Sequence, residues 1–167
     1  MKQIPKELVR YYKILDAIDK YPEKTFEIYT HDFAKPSVFL KLAKTWRLED
    51  SDAANLIDVS EDDWEQIKQD KWTREFSEEQ QVRVLTCLDI YSFGVSFFGK
   101  KSGSNWIHRP NTGRQFKGRR PLELMLEGMK GIKKTWGYTN EIESIGGEGI
   151  KEVLFNYWDR KRKEKDS

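Results

Sequence analysis

The feature that most constrains the fold is one long apolar segment in the middle of the chain. It follows Ser77, and Gln80 stands three residues later, which is the pattern of a helix whose first turn is capped by both side chains. From Val82 to Phe98 the apolar residues cover nearly every side of the predicted helix. Such a helix normally lies at the centre of a bundle, because no face of it suits water. Residues 99–103, with a glycine at each end, predict the turn that closes it.

The other segments with clear periodicity also predict helices, so the expected fold class is all-α. Apolar spacing and capping residues predict helices over 5–20 and 36–48, two short helices starting at Asp50 or Ser51 and at Ser60, a segment over 121–144 interrupted near Gly128, Gly131 and Gly137, and a helix over 148–159 before a frayed end. Ser104 is expected to cap a short helix carrying Trp106, and residues 23–35 stay ambiguous. The expected organisation is a helical extension (1–35), a helix-turn-helix-like part with the central helix (36–100), a C-terminal helical domain (101–147), and a last helix with a charged tail (148–167).

Composition limits the class of protein more than its activity. The 167 residues suit one domain or two small helical subdomains, and a net charge of +2 gives no indication of nucleic-acid binding by itself. A single cysteine fits a reducing compartment. No signal-like N-terminus and no run of about 20 apolar residues is evident, so we expect a soluble cytoplasmic protein with no membrane partner.

No arrangement of residues predicts catalysis. The two histidines, His31 and His108, have no Cys or Glu at ligand spacing, so neither a metal site nor a cofactor is expected. Cys87 lies inside the apolar segment without a flanking cation and is interpreted as a buried structural thiol. The glycines of 146–149 form a lone cluster, which is a weak indication of phosphate binding. The chain is therefore not expected to be an enzyme.

The two short helices after residue 49 have the spacing of a helix-turn-helix, because only a brief link separates them. A DNA-reading second helix would need cations for phosphates, yet residues 60–71 hold five acids and two bases. An ordinary soluble helix pair explains the pattern equally well. The residues that would contact DNA are Lys41, Lys44, Arg47, Gln66, Lys68, Gln69, Lys71 and Arg74.

Residues 109–120, which we name the basic loop, are rich in turn formers and carry five cations and no anion. Pro121 then stands where a helix can begin. Such a loop can dock a partner, and it can also be a solvated connection between two core helices.

The residues around this loop follow a recognisable order. Trp106 precedes Pro110-Asn111, Phe116 and Gly118 follow, and Pro121-Leu122-Glu123-Leu124 opens the next helix. This order resembles the toxin-binding domain of Xre/MbcA/ParS-type antitoxins, and the resemblance extends over roughly residues 36–147. It implies an Xre-like helix-turn-helix that represses the operon, a homodimer, and a C-terminal domain that silences a toxin, often a RES-type toxin that consumes NAD. Asn111 and Glu123 belong to the matching order, and with the neighbouring polar and basic residues they make up the candidate toxin-binding set: His108, Arg109, Asn111, Arg114, Lys117, Arg119, Arg120 and Glu123.

The resemblance predicts an antitoxin of a type II toxin–antitoxin pair, with a cognate toxin and operator DNA as partners. The alternative is a stand-alone helix-turn-helix transcriptional regulator. The chain departs from the family in its acidic second helix, in its extra glycines Gly131 and Gly137, and in the twenty residues that follow Gly147.

Overall fold

The fold is all-α, as the sequence predicts. The computed structural model of the protein describes residues 33–142 and 150–166, with side chains of the last helix from Tyr157 onward. No strand is present within these ranges. The helices are α1 (Pro36–Trp46), α2 (Asp50–Leu56), α3 (Glu61–Lys68), α4 (Glu78–Ser104), a 3-10 turn (Trp106–His108), α5 (Pro121–Met125), α6 (Met129–Ile142) and α7 (Ile150–Asp166). The helix expected over 5–20 and the segment 23–32 lie outside the described residues.

Helix α4 is the centre of the bundle. Its predicted cap is confirmed, because the Gln80 backbone N–H donates to Ser77 Oγ at 3.2 Å and the Ser77 backbone N–H donates to Gln80 Oε1 at 2.9 Å. Helices α1, α6 and α7 all pack against it. Of the described helices, only α4 is long and apolar enough to cross a membrane, but more than half of its most apolar part is buried inside the molecule. That burial fits a core helix.

The chain reverses direction inside α4, at Gly99. This residue has φ 77° and ψ 162°, a conformation that essentially only glycine adopts. In a straight helix Gly94 and Gly103 would lie about 13 Å apart along the axis, yet a Cβ on Gly103 would stand 2.2 Å from the Gly94 carbonyl oxygen. The predicted turn is therefore confirmed at Gly99, although residues 100–104 are helical. The predicted cap by Ser104 is wrong, since its hydroxyl donates to the Lys100 carbonyl at 2.7 Å.

Helices α1 to α3 form a small unit of their own. Phe39 and Trp64 pack edge to face with ring centroids 5.9 Å apart, and Trp64 Nε1 donates to Asp50 Oδ1 at 2.8 Å. The predicted cap of α3 is confirmed, because Ser60 Oγ accepts the Asp63 N–H at 3.0 Å. The predicted cap of α2 is wrong, because Glu49 precedes the helix and makes no capping bond with its side chain.

The same three helices end alike, each with a non-glycine residue in the left-handed region. These residues are Arg47, Asp58 and Asp70, with φ of 53°, 56° and 57°. In each case the backbone bonds cross as in a Schellman motif, for example Leu48 N–H to the Ala43 carbonyl at 3.0 Å. The left-handed residue at Arg47 is why α1 ends at Trp46 and not at the expected residue 48.

The C-terminal helices pack closely on α4 and on each other. The predicted break at Gly128 is confirmed by its φ of 97°. The predicted breaks at Gly131 and Gly137 are wrong, because both residues lie inside α6. Trp136 of α6 donates from Nε1 to Asp89 Oδ2 of α4 at 2.7 Å, a buried bond between the two helices. Helix α7 continues to Asp166, beyond the expected end at residue 159.

Candidate partner-binding site: the basic loop

The basic loop has a fixed backbone shape. Asn111 N–H donates to the Arg119 carbonyl at 3.0 Å, and Gly118 N–H donates to the Asn111 carbonyl at 2.9 Å, so the two ends of the loop are joined. Asn111 Oδ1 also accepts the Gly113 N–H at 2.7 Å, which makes an Asx turn. Lys117 and Gly118 both have positive φ, at 52° and 83°, and reverse the chain. The loop is thus an ordered element in its own right.

An aromatic cluster anchors the loop from below. The Phe116 ring is fully buried, with its centroid 4.8 Å from that of Tyr138 and 6.3 Å from that of Trp106. Trp106 and Tyr138 are stacked at 6.2 Å. Gly113 permits this packing, because a Cβ there would stand 2.7 Å from a Tyr138 ring carbon. The buried aromatic residue therefore holds the loop to the bundle while the neighbouring side chains point outward.

All five cations of the loop are exposed, but they divide into two groups. Arg119 pairs with Glu127, and Arg120 pairs with Glu123 at 3.2 Å. In the part of the chain that the structure describes, Arg109, Arg114 and Lys117 have no acidic partner. The positive field of the loop therefore comes mainly from these three residues, which we name the free cations of the loop.

The two acids beside the loop are held in their charged forms. The pKa of Glu123 is lowered, first by the backbone N–H of Arg120, which donates to its carboxylate at 2.7 Å, and then by the Arg120 guanidinium. The pKa of Glu127 is lowered by its hydrogen bond with Arg119. Glu123 thereby caps the start of α5, and the local charge pattern is stable at neutral pH.

The remaining predicted toxin-binding residues have contacts inside the chain. His108 is half-buried, and its Nε2–H donates to the Trp46 carbonyl at the end of α1. Asn111 shapes the loop, and Glu123 caps α5, as described above. The structure thus brings all eight predicted residues to one region, but it leaves only the three free cations without an internal partner among the described residues.

The predicted DNA-contacting residues divide in the same way. Lys68 pairs with Asp50 at 2.7 Å and with Glu65 at 2.6 Å, and the hydrogen bond to Asp50 is the main reason that its pKa is raised. Arg74 pairs with Asp63 at 2.6 Å. Gln69 bonds to Glu65, and Lys71 bonds to Gln69, both at 2.7 Å. Lys44, Arg47 and Gln66 make no side-chain bond within the described ranges. The exposed side of α3 consequently keeps its acidic character.

One group of cations was not predicted as a group. Arg47 at the end of α1 lies beside Lys100 and Lys101, which follow the break at Gly99. About fifty residues separate them in the sequence, so no local pattern could join them. The one local feature that could have indicated it is that Gly99 and two lysines directly follow an apolar helix.

The described residues offer little for covalent or metal chemistry. No group of three His, Cys, Asp or Glu side chains in these ranges is placed to hold a metal ion. Cys87 is buried in α4, and burial raises the pKa of its thiol to about 12, with the Arg83 guanidinium acting weakly in the other direction. The thiol is therefore protonated at neutral pH. The predicted structural role of Cys87 fits this environment.

Comparisons of the chain with protein-family models, with curated proteins and with solved structures find no match.

Proposed function

We propose that the protein is an antitoxin that binds and neutralises a cognate toxin, as its resemblance to the Xre/MbcA/ParS-type antitoxins implies. The observation that supports this most directly is the basic loop: an ordered, exposed segment whose three free cations have no acidic partner among the described residues. Cations held in this way favour a partner with an acidic surface. An ordered loop also binds with a smaller loss of conformational entropy than a mobile one.

The ion pairs of the loop decide which of its cations are suitable for a test of toxin binding. Reversing the charge of Arg119 or Arg120 would place an acid beside Glu127 or Glu123, so a loss of binding could reflect local repulsion. Arg114 and Lys117 have no such neighbour in the described part of the chain, and both are exposed. Substitution at these two positions therefore separates binding from folding.

The test uses the product of the adjacent reading frame as the toxin. The variant Arg114→Glu plus Lys117→Glu is co-expressed with that product, and binding is measured by affinity pull-down together with rescue of growth. The matched control, Lys41→Glu plus Lys71→Glu, makes the same change in charge on exposed residues of the α1–α3 unit. Circular dichroism confirms that both variants keep the helicity of the wild type.

We expect the loop variant to lose at least tenfold in affinity and the control to bind normally, because close charge pairs at interfaces are worth about 1.5 kcal/mol or more. Equal binding by both variants would remove the basic loop from the interface. A wild-type protein that neither binds nor neutralises the neighbouring product would overturn the antitoxin proposal itself.

The second part of the proposal is that the protein represses its own operon as a cytoplasmic homodimer. It is supported by the α2–α3 arrangement, in which residues 57–60 join two packed helices. Gel shift on the upstream DNA at two salt concentrations tests DNA binding, because the affinity of a protein for DNA should fall steeply as the salt concentration rises. DNA binding without toxin binding would favour the alternative, a stand-alone transcriptional regulator. Sedimentation velocity tests whether the protein is a dimer in solution.

A further inference from the structure

A groove lies between the end of α1 and the short helical turn that follows Gly99. It has a volume of about 480 Å³ and is lined by Thr45, Arg47, Lys100, Lys101, Ser104 and Asn105. Half of these residues are cations and none is an acid. The reversal of the chain at Gly99 is what brings Lys100 and Lys101 beside Arg47.

The charges of this groove are not needed for the fold. The last carbonyls of α1 already have donors. The Ala43 carbonyl accepts the Leu48 N–H at 3.0 Å, the Lys44 carbonyl accepts the Arg47 N–H at 3.1 Å, and the Trp46 carbonyl accepts the Nε2–H of His108. Arg47, Lys100 and Lys101 are all exposed, and none makes an ion pair within the ranges that the structure describes. Their charged ends are therefore available to an external anion.

The polar side chains of the groove already donate hydrogen bonds within the chain. Thr45, Ser104 and Asn105 use their donors on backbone carbonyls one helical turn earlier, at 2.9, 2.7 and 3.3 Å. Because the hydroxyl hydrogens are used in this way and phosphate oxygens only accept hydrogen bonds, contacts with a phosphate would come from the Lys and Arg side chains, which are common donors to a nucleic-acid backbone.

A row of exposed cations continues beyond the groove and winds around α1. Lys44 and Lys41 stand three and six residues before Arg47, roughly 60° and 120° from it around the helix axis, and both are exposed. Arg109 follows His108, whose ring is bonded to the last turn of α1. In the described part of the chain these three residues also have no acidic partner. A row of separate cations suits a ligand with repeated charges better than a single small anion.

We propose that this groove and row, namely Lys41, Lys44, Arg47, Lys100, Lys101 and Arg109, bind the phosphate backbone of double-stranded DNA. Duplex DNA carries one negative charge per about 1.7 Å of axis, so several of these cations can contact phosphates together. Helix α3 and the segment after it are poorly suited to the same task, because Lys68 and Arg74 are paired with acids of α2 and α3. The inference rests on the DNA-binding part of the proposed function and moves its phosphate contacts away from α3.

The experiment measures fluorescence anisotropy of a labelled 20-base-pair duplex at several salt concentrations. The groove variant carries Arg47→Ala, Lys100→Ala and Lys101→Ala. The control variant carries Lys68→Ala, Lys71→Ala and Arg74→Ala, which removes the same charge from α3 and the segment that follows it. A third variant, Arg47→Lys with Lys100→Arg and Lys101→Arg, keeps the charge of the groove. Circular dichroism checks the helicity of all three.

We expect the groove variant to bind at least tenfold more weakly, with a salt dependence of log K lowered in magnitude by about 2 to 3, since each lost phosphate contact removes roughly 0.9. The control and the charge-preserving variant should bind within about threefold of the wild type. Wild-type binding that the groove variant retains would overturn the assignment of the groove while leaving DNA binding intact. Failure of the wild type to bind any duplex would overturn DNA binding itself, and toxin neutralisation would be unaffected.

A final arm separates the DNA backbone from free phosphate as the ligand. Inorganic phosphate is added as a competitor against sodium chloride at equal ionic strength. We expect equal displacement by the two salts. Stronger displacement by phosphate, at millimolar concentration and lost in the groove variant, would identify a site for a single phosphate group and would overturn the proposal of a backbone-binding row.

Discussion

At the scale of single residues, Cys87 shows how burial controls chemistry. Its thiol is enclosed in α4, and burial raises its pKa from an ordinary 9.0 to about 12. Between those two values the unfolded chain has lost the thiol proton that the folded chain keeps. The folded state then binds more protons, so its stability falls as pH rises through this window.

We therefore predict that the free energy of unfolding falls more steeply between pH 9 and pH 10.5 in the wild type than in Cys87→Ala. The two slopes should differ by up to about 1.4 kcal/mol per pH unit. Urea denaturation followed by circular dichroism measures both proteins at each pH. The variant is expected to be less stable at every pH because it leaves a small cavity, so the slope is the informative quantity. Equal slopes of unfolding free energy against pH in the two proteins would contradict the raised pKa of the Cys87 thiol.

Asp70 illustrates a backbone effect on the same scale. It ends α3 with φ 57°, a region where a side chain is unfavourable and glycine is not. We predict that Asp70→Gly stabilises the protein by about 0.5–1 kcal/mol, although it removes a side chain. Asp70→Ala, which keeps a Cβ at the same φ, should destabilise it. The two variants are compared by thermal unfolding, and stabilisation by both would point to the charge of Asp70 and not to its backbone.

At the scale of helices, local signals predicted some boundaries and missed others. The cap at Ser77 and the turn at Gly99 depend on residues close in the sequence, and both are confirmed. The left-handed ends at Arg47, Asp58 and Asp70 carry no glycine, so no local signal marked them. The two glycines of α6 were expected to break it because glycine is a poor helix former, but tertiary packing decided otherwise.

The same two glycines give opposite predictions within one helix. A Cβ on Gly131 would stand 1.7 Å from the Leu124 carbonyl oxygen, so α5 and α6 would have to move apart. A Cβ on Gly137 would meet nothing within 4 Å. We predict that Gly131→Ala destabilises the protein by at least about 1–3 kcal/mol and that Gly137→Ala stabilises it by about 0.5–1 kcal/mol. Denaturant midpoints measure both, and a neutral Gly131→Ala would mean that the two helices are not in close contact.

At the scale of the whole molecule, the sequence predicted that the basic loop is exposed but not which of its cations are paired. The alternation of cations with turn formers indicated an exposed loop, and the loop is exposed. Which cations are paired depends on where Glu127 and Glu123 lie in three dimensions, so that division could not be predicted. The groove beside α1 joins residues about fifty positions apart, and it exists only because α4 reverses at Gly99.

One buried cation connects the α1–α3 unit to the rest of the molecule. Arg83 of α4 is 7% exposed, and its Nη1 donates to the carbonyls of Asn55 and Leu56 at the end of α2, both at 3.4 Å. Its Nη2 also pairs with Glu79 at 3.0 Å, but that carboxylate is about half exposed. The bond to the Leu56 carbonyl is buried, so water cannot replace it readily, whereas the ion pair with Glu79 is exposed to solvent screening.

We predict that Arg83→Met lowers the free energy of unfolding by about 1–3 kcal/mol, because the buried Leu56 carbonyl loses its donor and the Asn55 carbonyl keeps only the Asp58 N–H. Glu79→Gln, which removes only the exposed charge, should cost less than about 1 kcal/mol. Tryptophan fluorescence and circular dichroism should give coincident transitions for the wild type, since Trp64 and Trp136 report on different parts of one packed bundle. If Arg83 couples the α1–α3 unit to the rest of the bundle, the transitions seen by fluorescence and by circular dichroism should differ in midpoint in Arg83→Met and coincide in Glu79→Gln. Coincident, unshifted transitions in both variants would show that apolar packing against α4 alone joins the α1–α3 unit to the bundle.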